Sequence, residues 1–216
     1  LYPNIYMLRF SANLTFLFRD RSLLERFSAA RDAGFDGVEL LSPEGVPVTD
    51  LAEAARQARV EVVLCNAPIG DFVEGGLGLS ATPGLEKDFR RAIEQAAELA
   101  TTLQCPMVHL GPSRVPVHLT WRECYAVYLK NVAFATRHLA ERGITATIEP
   151  LNSIDTPNIF LSTLEQALRV IDHSGQESLK LQFDVYHIAR SYGDYMAQLR
   201  RNIGRVAHIQ IADVPG

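Results

Sequence analysis

The chain reads as an α/β protein of the (β/α)8 TIM-barrel class, covering about seven strands with the last β/α unit absent. Three observations predict this. Apolar, β-branched runs alternate strictly with helical patterns, giving seven strand-like and six helix-like segments with no composition break. The length of 216 residues falls short of the roughly 250 typical of such barrels by about one strand–helix unit. Three late strands, TIEPLN around Glu149, LQFDVYH around Asp184 and HIQIADVPG around Gln210, each end in an oxygen side chain able to bind a metal. All 216 residues are expected to form a single, C-terminally incomplete barrel domain.

The elements follow in order. Residues 7–13 read as the first strand, and residues 22–33 carry Leu23, Leu24, Phe27 and Ala30 at helical spacing. GVELL at 37–41 is the second strand, followed by a helix over 50–59. VEVVLCNAP is the third strand, ending near Asn66. Residues 68–84 are Gly-rich and aperiodic, which predicts a loop. Pro83 opens a long amphipathic helix through about residue 103, and PMVHLG at 106–111 is the fourth strand. A second loop, PSRVPVHL, leads to Thr120, an N-cap with Glu123 three residues on, and the helix it starts runs to about 142 and stops at Gly143. ITATIEP is the fifth strand. Ser162 and Glu165 form a capping-box pattern for the next helix. LKLQFDVYH is the sixth strand, residues 191–202 the next helix and RVAHIQIAD the seventh strand.

Strand alternation sorts the side chains. Thr145, Thr147 and Glu149 share one face, as do Gln182 with Asp184 and His208 with Gln210. His109 and Glu39 oppose apolar neighbours on their strands, while Asn13 and Asn66 sit at strand ends. Nearly every strand therefore brings a polar group to the C-terminal mouth, where barrel active sites lie. Taken alone, His109 reads as a hydrogen-bonded interior histidine, Asn66 as a loop-satisfying side chain and Glu39 equally as a helix cap or ion-pair partner. Glu149, between Ile148 and Pro150, and Asp184, beside Phe183, are costly to bury unless paired or metal-bound. Two carboxylates and the carboxamide of Gln210 suit a hard divalent cation, Mg²⁺ or Mn²⁺, better than zinc. Such an ion in a barrel mouth supports proton transfer next to a carbonyl, the chemistry of aldose–ketose isomerisation.

Composition narrows the partners. Hydrophobic residues make up 47% and charged residues 21%, ordinary for a globular protein, and the net charge of −4 argues against nucleic acid. No apolar stretch reaches membrane-spanning length. The start lacks both a signal pattern and an initiator Met, so the chain is expected to be incomplete there. Cys65, Cys105 and Cys124 form no CxxC pair and read as free thiols of a cytoplasmic protein. No dinucleotide fingerprint, P-loop, GxSxG or HExxH motif is present. Homo-oligomerisation is left open.

FSANLTFLF, ARDAGFDGVEL, NAPIGD, PGLEKDFRRAIEQAAELA, IEPLNSIDTPNIFL, LQFDVYHIARSYGD and HIQIADVPG together resemble the hydroxypyruvate isomerase family, within the xylose-isomerase-like barrel superfamily. The resemblance implies that Glu149 is a metal ligand and the proton donor/acceptor, and that Asp184 and Gln210 are further ligands. It implies that His187 contacts substrate oxygens and takes part in catalysis. His109, Asn66 and Asn13 join His187 as expected substrate contacts. The family's reaction interconverts hydroxypyruvate and 2-hydroxy-3-oxopropanoate (tartronate semialdehyde). Its second glutamate and an arginine would lie beyond Gly216. The loop reads EGGLGLS where a GERGLA-like stretch is usual, and SPEGVP replaces an aromatic-rich segment. Arg9, Arg114 and Arg190 are the arginines available for a substrate carboxylate. Three readings are carried: this isomerase; the same chemistry on a 2-oxo-tetronate or, as a 3-epimerase, on a ketose; and an incomplete, non-catalytic barrel with residual ligand binding. A phosphodiesterase acting on abasic DNA fits poorly, because it needs several zinc ligands and a basic face.

Overall fold

The computed structural model describes residues 8–213. Met7, where the first strand was expected to start, and the last three residues of HIQIADVPG lie outside them. Two compact units emerge, one of residues 1–65 with 99–106 and one of residues 66–98 with 107–216.

In the first unit, β1 (Ser11–Asn13), β2 (Gly37–Leu40) and β3 (Glu61–Asn66, all but its last residue) pair in parallel, β1 with β2 and β2 with β3. Helices α1 (Leu23–Asp32) and α2 (Val48–Ala58) connect them and pack on each other. Phe27, Val38, Leu40, Leu51, Val62 and Leu64 form the core of this unit. The expected start of α2 at residue 50 is corrected to Val48, directly after Pro47, whose fixed φ is compatible with opening a helix.

The second unit carries the candidate site. Its strands β4 (Met107–His109), β5 (Thr145–Ile148), β6 (Leu179–Asp184) and β7 (Val206–Gln210) run parallel in that order. The long helix α3 (Glu86–Leu103) precedes β4, and α4 (Trp121–Ala140) and α5 (Leu164–Ser174) link the strands that follow. Thr120 and Glu123 form the expected capping box of α4. The cap of α5 is corrected by one residue. Thr163, not Ser162, caps it, with the Thr163 hydroxyl accepting from the Gln166 N–H. Gln166 returns the contact by accepting from the backbone N–H groups of Ser162 and Thr163.

Two further corrections bear on the site. The sixth strand ends at Asp184, and the VYH expected to extend it forms the first turn of α6 (Val185–Tyr192). Asp184 causes the switch, since Oδ1 accepts the Tyr186 N–H at 2.8 Å and caps the new helix. The single helix expected over 191–202 is instead split into α6 and α7 (Tyr195–Asn202). Gly193, at φ 77°, ends the first, and the Asp194 side chain caps the second.

The aperiodic segment 68–84 forms the expected loop and is held by specific bonds. Arg114 donates to the carbonyls of Phe72 and Gly76 at 3.0 and 2.6 Å and stacks over the Phe72 ring. Gly78 sits at φ 73°, and a Cβ there would meet the Pro112 carbonyl at 2.5 Å, so only glycine allows this close approach. Among the described residues no helix is long and apolar enough to cross a membrane.

Candidate active site

Four adjacent strand ends supply the site. Glu149 follows β5 directly and precedes Pro150, which keeps residue 149 extended rather than helical. Asp184 closes β6 and pairs in register with Gln210 at the end of β7. A register shift between Leu181 and Gln182 marks a bulge, a device that re-aims side chains near active sites. Gln182 uses that placement. Its amide nitrogen donates to Glu149 Oε2 at 2.9 Å and to Gln210 Oε1 at 2.8 Å. The Thr147 hydroxyl donates to Gln182 Oε1 at 3.3 Å, which fixes the orientation of the amide. One nitrogen therefore ties the carboxylate of β5 to the carboxamide of β7.

Histidines flank the carboxylate. His109 Nε2 lies 3.9 Å from Glu149 Oε2, and His187 Nε2 lies 3.9 Å from both Glu149 Oε1 and Asp184 Oδ2. The Glu149 side chain is 8% exposed. Burial pushes the His109 pKa down to about 4, so the ring is neutral at ordinary pH. His109 Nδ1 is buried with no hydrogen-bond partner among the described residues. Burial also lowers the His187 pKa, against the opposing pull of Asp184 and Asp155. A small cavity lined by Ser80, His109, Tyr128, Glu149 and Phe160, among others, lies against this carboxylate.

The ligand atoms converge. Glu149, Asp184 and His187 each offer one within 4.8 Å of the others, the geometry of a site that can hold a metal ion. Gln210 is the neighbour of this group, through the Gln182 amide it shares with Glu149 and its register with Asp184.

Five of the seven residues expected from sequence meet here: His109, Glu149, Asp184, His187 and Gln210. Asn66 is half-buried at the end of β3, next to Ala67, whose N–H donates to the His109 carbonyl at 2.9 Å. Asn13 belongs to the first unit, where its Oδ1 accepts the Thr15 N–H at 3.1 Å in an Asx turn. The three candidate arginines have other partners. Arg9 pairs with Glu61, Arg114 holds the long loop and Arg190 pairs with Asp155. Sequence reading gave no role to Gln182 or Asn152. Gln182 stands two residues before Asp184 and so on its face, which is the signal that could have found it. Asn152 lies beyond the strand, where no periodicity applies.

Similarity to known proteins covers nearly the whole chain. The sequence model of a family described as "Xylose isomerase-like TIM barrel" matches residues 27–216. A 2-oxo-tetronate isomerase of Cupriavidus necator is 37% identical over 97% of this chain and 80% of its own length. Hydroxypyruvate isomerase of Escherichia coli is 34% identical over 97% of this chain and 81% of its own length. A crystal structure titled as an AP endonuclease, family 2, of Brucella melitensis superimposes with a TM-score of 0.92 at 33% identity. That alignment covers 97% of this chain and 81% of the other.

Proposed function

The chain belongs to the xylose isomerase-like TIM barrel family, and on that premise we propose that it is a divalent-metal-assisted isomerase of small hydroxy-oxo acids. The preferred substrate pair is hydroxypyruvate and 2-hydroxy-3-oxopropanoate. The observation that carries the reading is the setting of Glu149: a nearly buried carboxylate with a histidine on either side, tied by an amide bridge to a further oxygen ligand.

Glu149, Asp184 and Gln210 would hold Mg²⁺ or Mn²⁺. When bound, such an ion draws charge from a carbonyl and its neighbouring hydroxyl, which acidifies the C–H between them. Glu149 takes that proton from C3 of hydroxypyruvate and returns it to C2. The hydroxyl proton passes from O3 to O2 in the same exchange, so atoms and charge balance through an enediolate. His187 faces the same carboxylate and serves as the contact to a substrate oxygen. His109, neutral and buried, lines the other side of Glu149 and adds no positive charge there, which favours a base.

The same residues would serve a 2-oxo-tetronate, the substrate in the name of the Cupriavidus relative. A ketose 3-epimerase would need the same base and cation. The endonuclease title of the Brucella structure finds less support, because among the described residues one group of His, Cys, Asp and Glu has metal-binding geometry. Assays against hydroxypyruvate, 2-oxo-tetronates and ketoses, with Mg²⁺, Mn²⁺ or a chelator, test the reading. Metal-dependent turnover of an acid is expected. Equal turnover after chelation would refute the metal role, and none on any substrate would favour residual ligand binding.

A further inference from the structure

Asn152 is fully buried, and its side chain is committed at both ends. Its Oδ1 accepts the backbone N–H groups of Ile154 and Asp155 at 3.1 and 2.9 Å. Those two donors identify the other amide atom as the NH₂ group. One hydrogen of that group goes to Asp155 Oδ2 at 2.9 Å, and the nitrogen lies 2.8 Å from His187 Nδ1. The Asn152 backbone N–H reaches the same ring atom at 3.2 Å. Asp155 is itself held by the Tyr186 hydroxyl at 2.7 Å and by Arg190 at 3.2 Å, on either side of His187 in α6.

Two donors thus converge on Nδ1. A ring nitrogen that carries a proton cannot accept, so Nδ1 must present its lone pair. In the neutral ring the proton then sits on Nε2. Nε2 is the atom 3.9 Å from both Glu149 and Asp184. We propose that Asn152 is a positioning residue that locks His187 as the Nε2–H tautomer, so that the ring meets the reacting centre as a hydrogen-bond donor and not as a metal ligand. Ligation through Nε2 would force the proton onto Nδ1, against two N–H groups. His187 is therefore left to donate to a substrate oxygen, and the cation is left to oxygen ligands. The catalytic consequence rests on the isomerase reading; the tautomer does not.

The test is ¹⁵N NMR of the full chain labelled at histidine, with His187 assigned by its loss in H187Q. Wild type should show a bare Nδ1 and a protonated Nε2, both without metal and with Mg²⁺. Asn152→Asp keeps the oxygen that caps Ile154 and Asp155 but puts an acceptor where the amide nitrogen stood. It should move a proton onto Nδ1 and lower kcat about 10- to 100-fold with a smaller change in KM. Asn152→Ser, which retains an acceptor but has no amide, should give mixed tautomers and a smaller loss. A wild-type spectrum with Nδ1 protonated overturns the proposal, as does loss of the Nε2 proton on adding Mg²⁺. So does an unchanged tautomer in a folded N152D, or a switched tautomer with unchanged kcat. The wild-type spectrum decides the tautomer even if N152D fails to fold. A wild type with the Nε2–H spectrum but no turnover would sink the isomerase reading and still support the tautomer assignment.

Discussion

Glu39 and Glu149 look alike in the sequence. Each is a carboxylate at the polar side of a short, apolar parallel strand, and each is nearly buried. Their neighbours differ. Glu39, in the first unit, accepts the Ser11 hydroxyl at 2.7 Å from the adjoining strand. Glu149, in the second, has two histidine nitrogens at 3.9 Å and an amide that it shares with Gln210. A hydroxyl donated from the adjoining strand suits a structural carboxylate. Charge held among ligands that face one gap suits a reactive one. Neighbours in space, rather than the local pattern, separate the two carboxylates.

The comparison can be broken most directly at the carboxylates themselves. Glu149→Gln should lower turnover by about 10²- to 10⁴-fold while the melting temperature stays within a few degrees. Glu39→Gln should keep turnover and cost about 1 kcal/mol of stability, because the Ser11 hydroxyl can still donate to the amide oxygen. Comparable activity losses in both variants would erase the distinction. Next in size, Asp184→Ala should weaken Mn²⁺ binding more than about 100-fold by calorimetric titration, removing a ligand outright where outer-shell changes cost about 10- to 100-fold. Unchanged affinity would remove Asp184 from the ligand set. Replacing Gln182 with Leu should cut turnover by about 10- to 100-fold, since it frees two ligand side chains without removing either. An unaffected rate would make the bridge purely structural.

A further test concerns pH. His109 in the folded protein is pushed down to about 4, below the usual 6.5. Between those values the unfolded chain binds more protons, so stability falls as pH falls through that window. The full loss is on the order of 3 kcal/mol. Urea unfolding of wild type and His109→Asn between pH 7 and 4 should show the steeper decline in wild type. Parallel slopes would mean that burial does not hold this ring neutral.

Much of this was legible in the chain. The period-2 alternation put Thr147, Glu149, Gln182, Asp184, His208 and Gln210 on shared faces, and Glu149, Gln182 and Gln210 meet through hydrogen bonds. The boundary of β6 was less legible. Asp184 looks like a strand residue, but its side chain caps a helix that starts at once, which moves His187 from a strand onto a helix turn. Asn13 shows the opposite limit. It stands at a strand end, and its side-chain oxygen also closes an Asx turn with Thr15, which the strand pattern does not show. Asn152 could not be found by periodicity, because its role depends on a loop returning toward α6.

The central claim is that Glu149, Asp184 and Gln210 share one cation. A crystal structure grown with Mn²⁺, with the ion located by its anomalous signal, tests it most directly. The account predicts one peak within inner-sphere distance of an oxygen from each of the three side chains, with His187 Nε2 outside that sphere. A peak elsewhere, or one bound through His187 in place of Gln210, would contradict it.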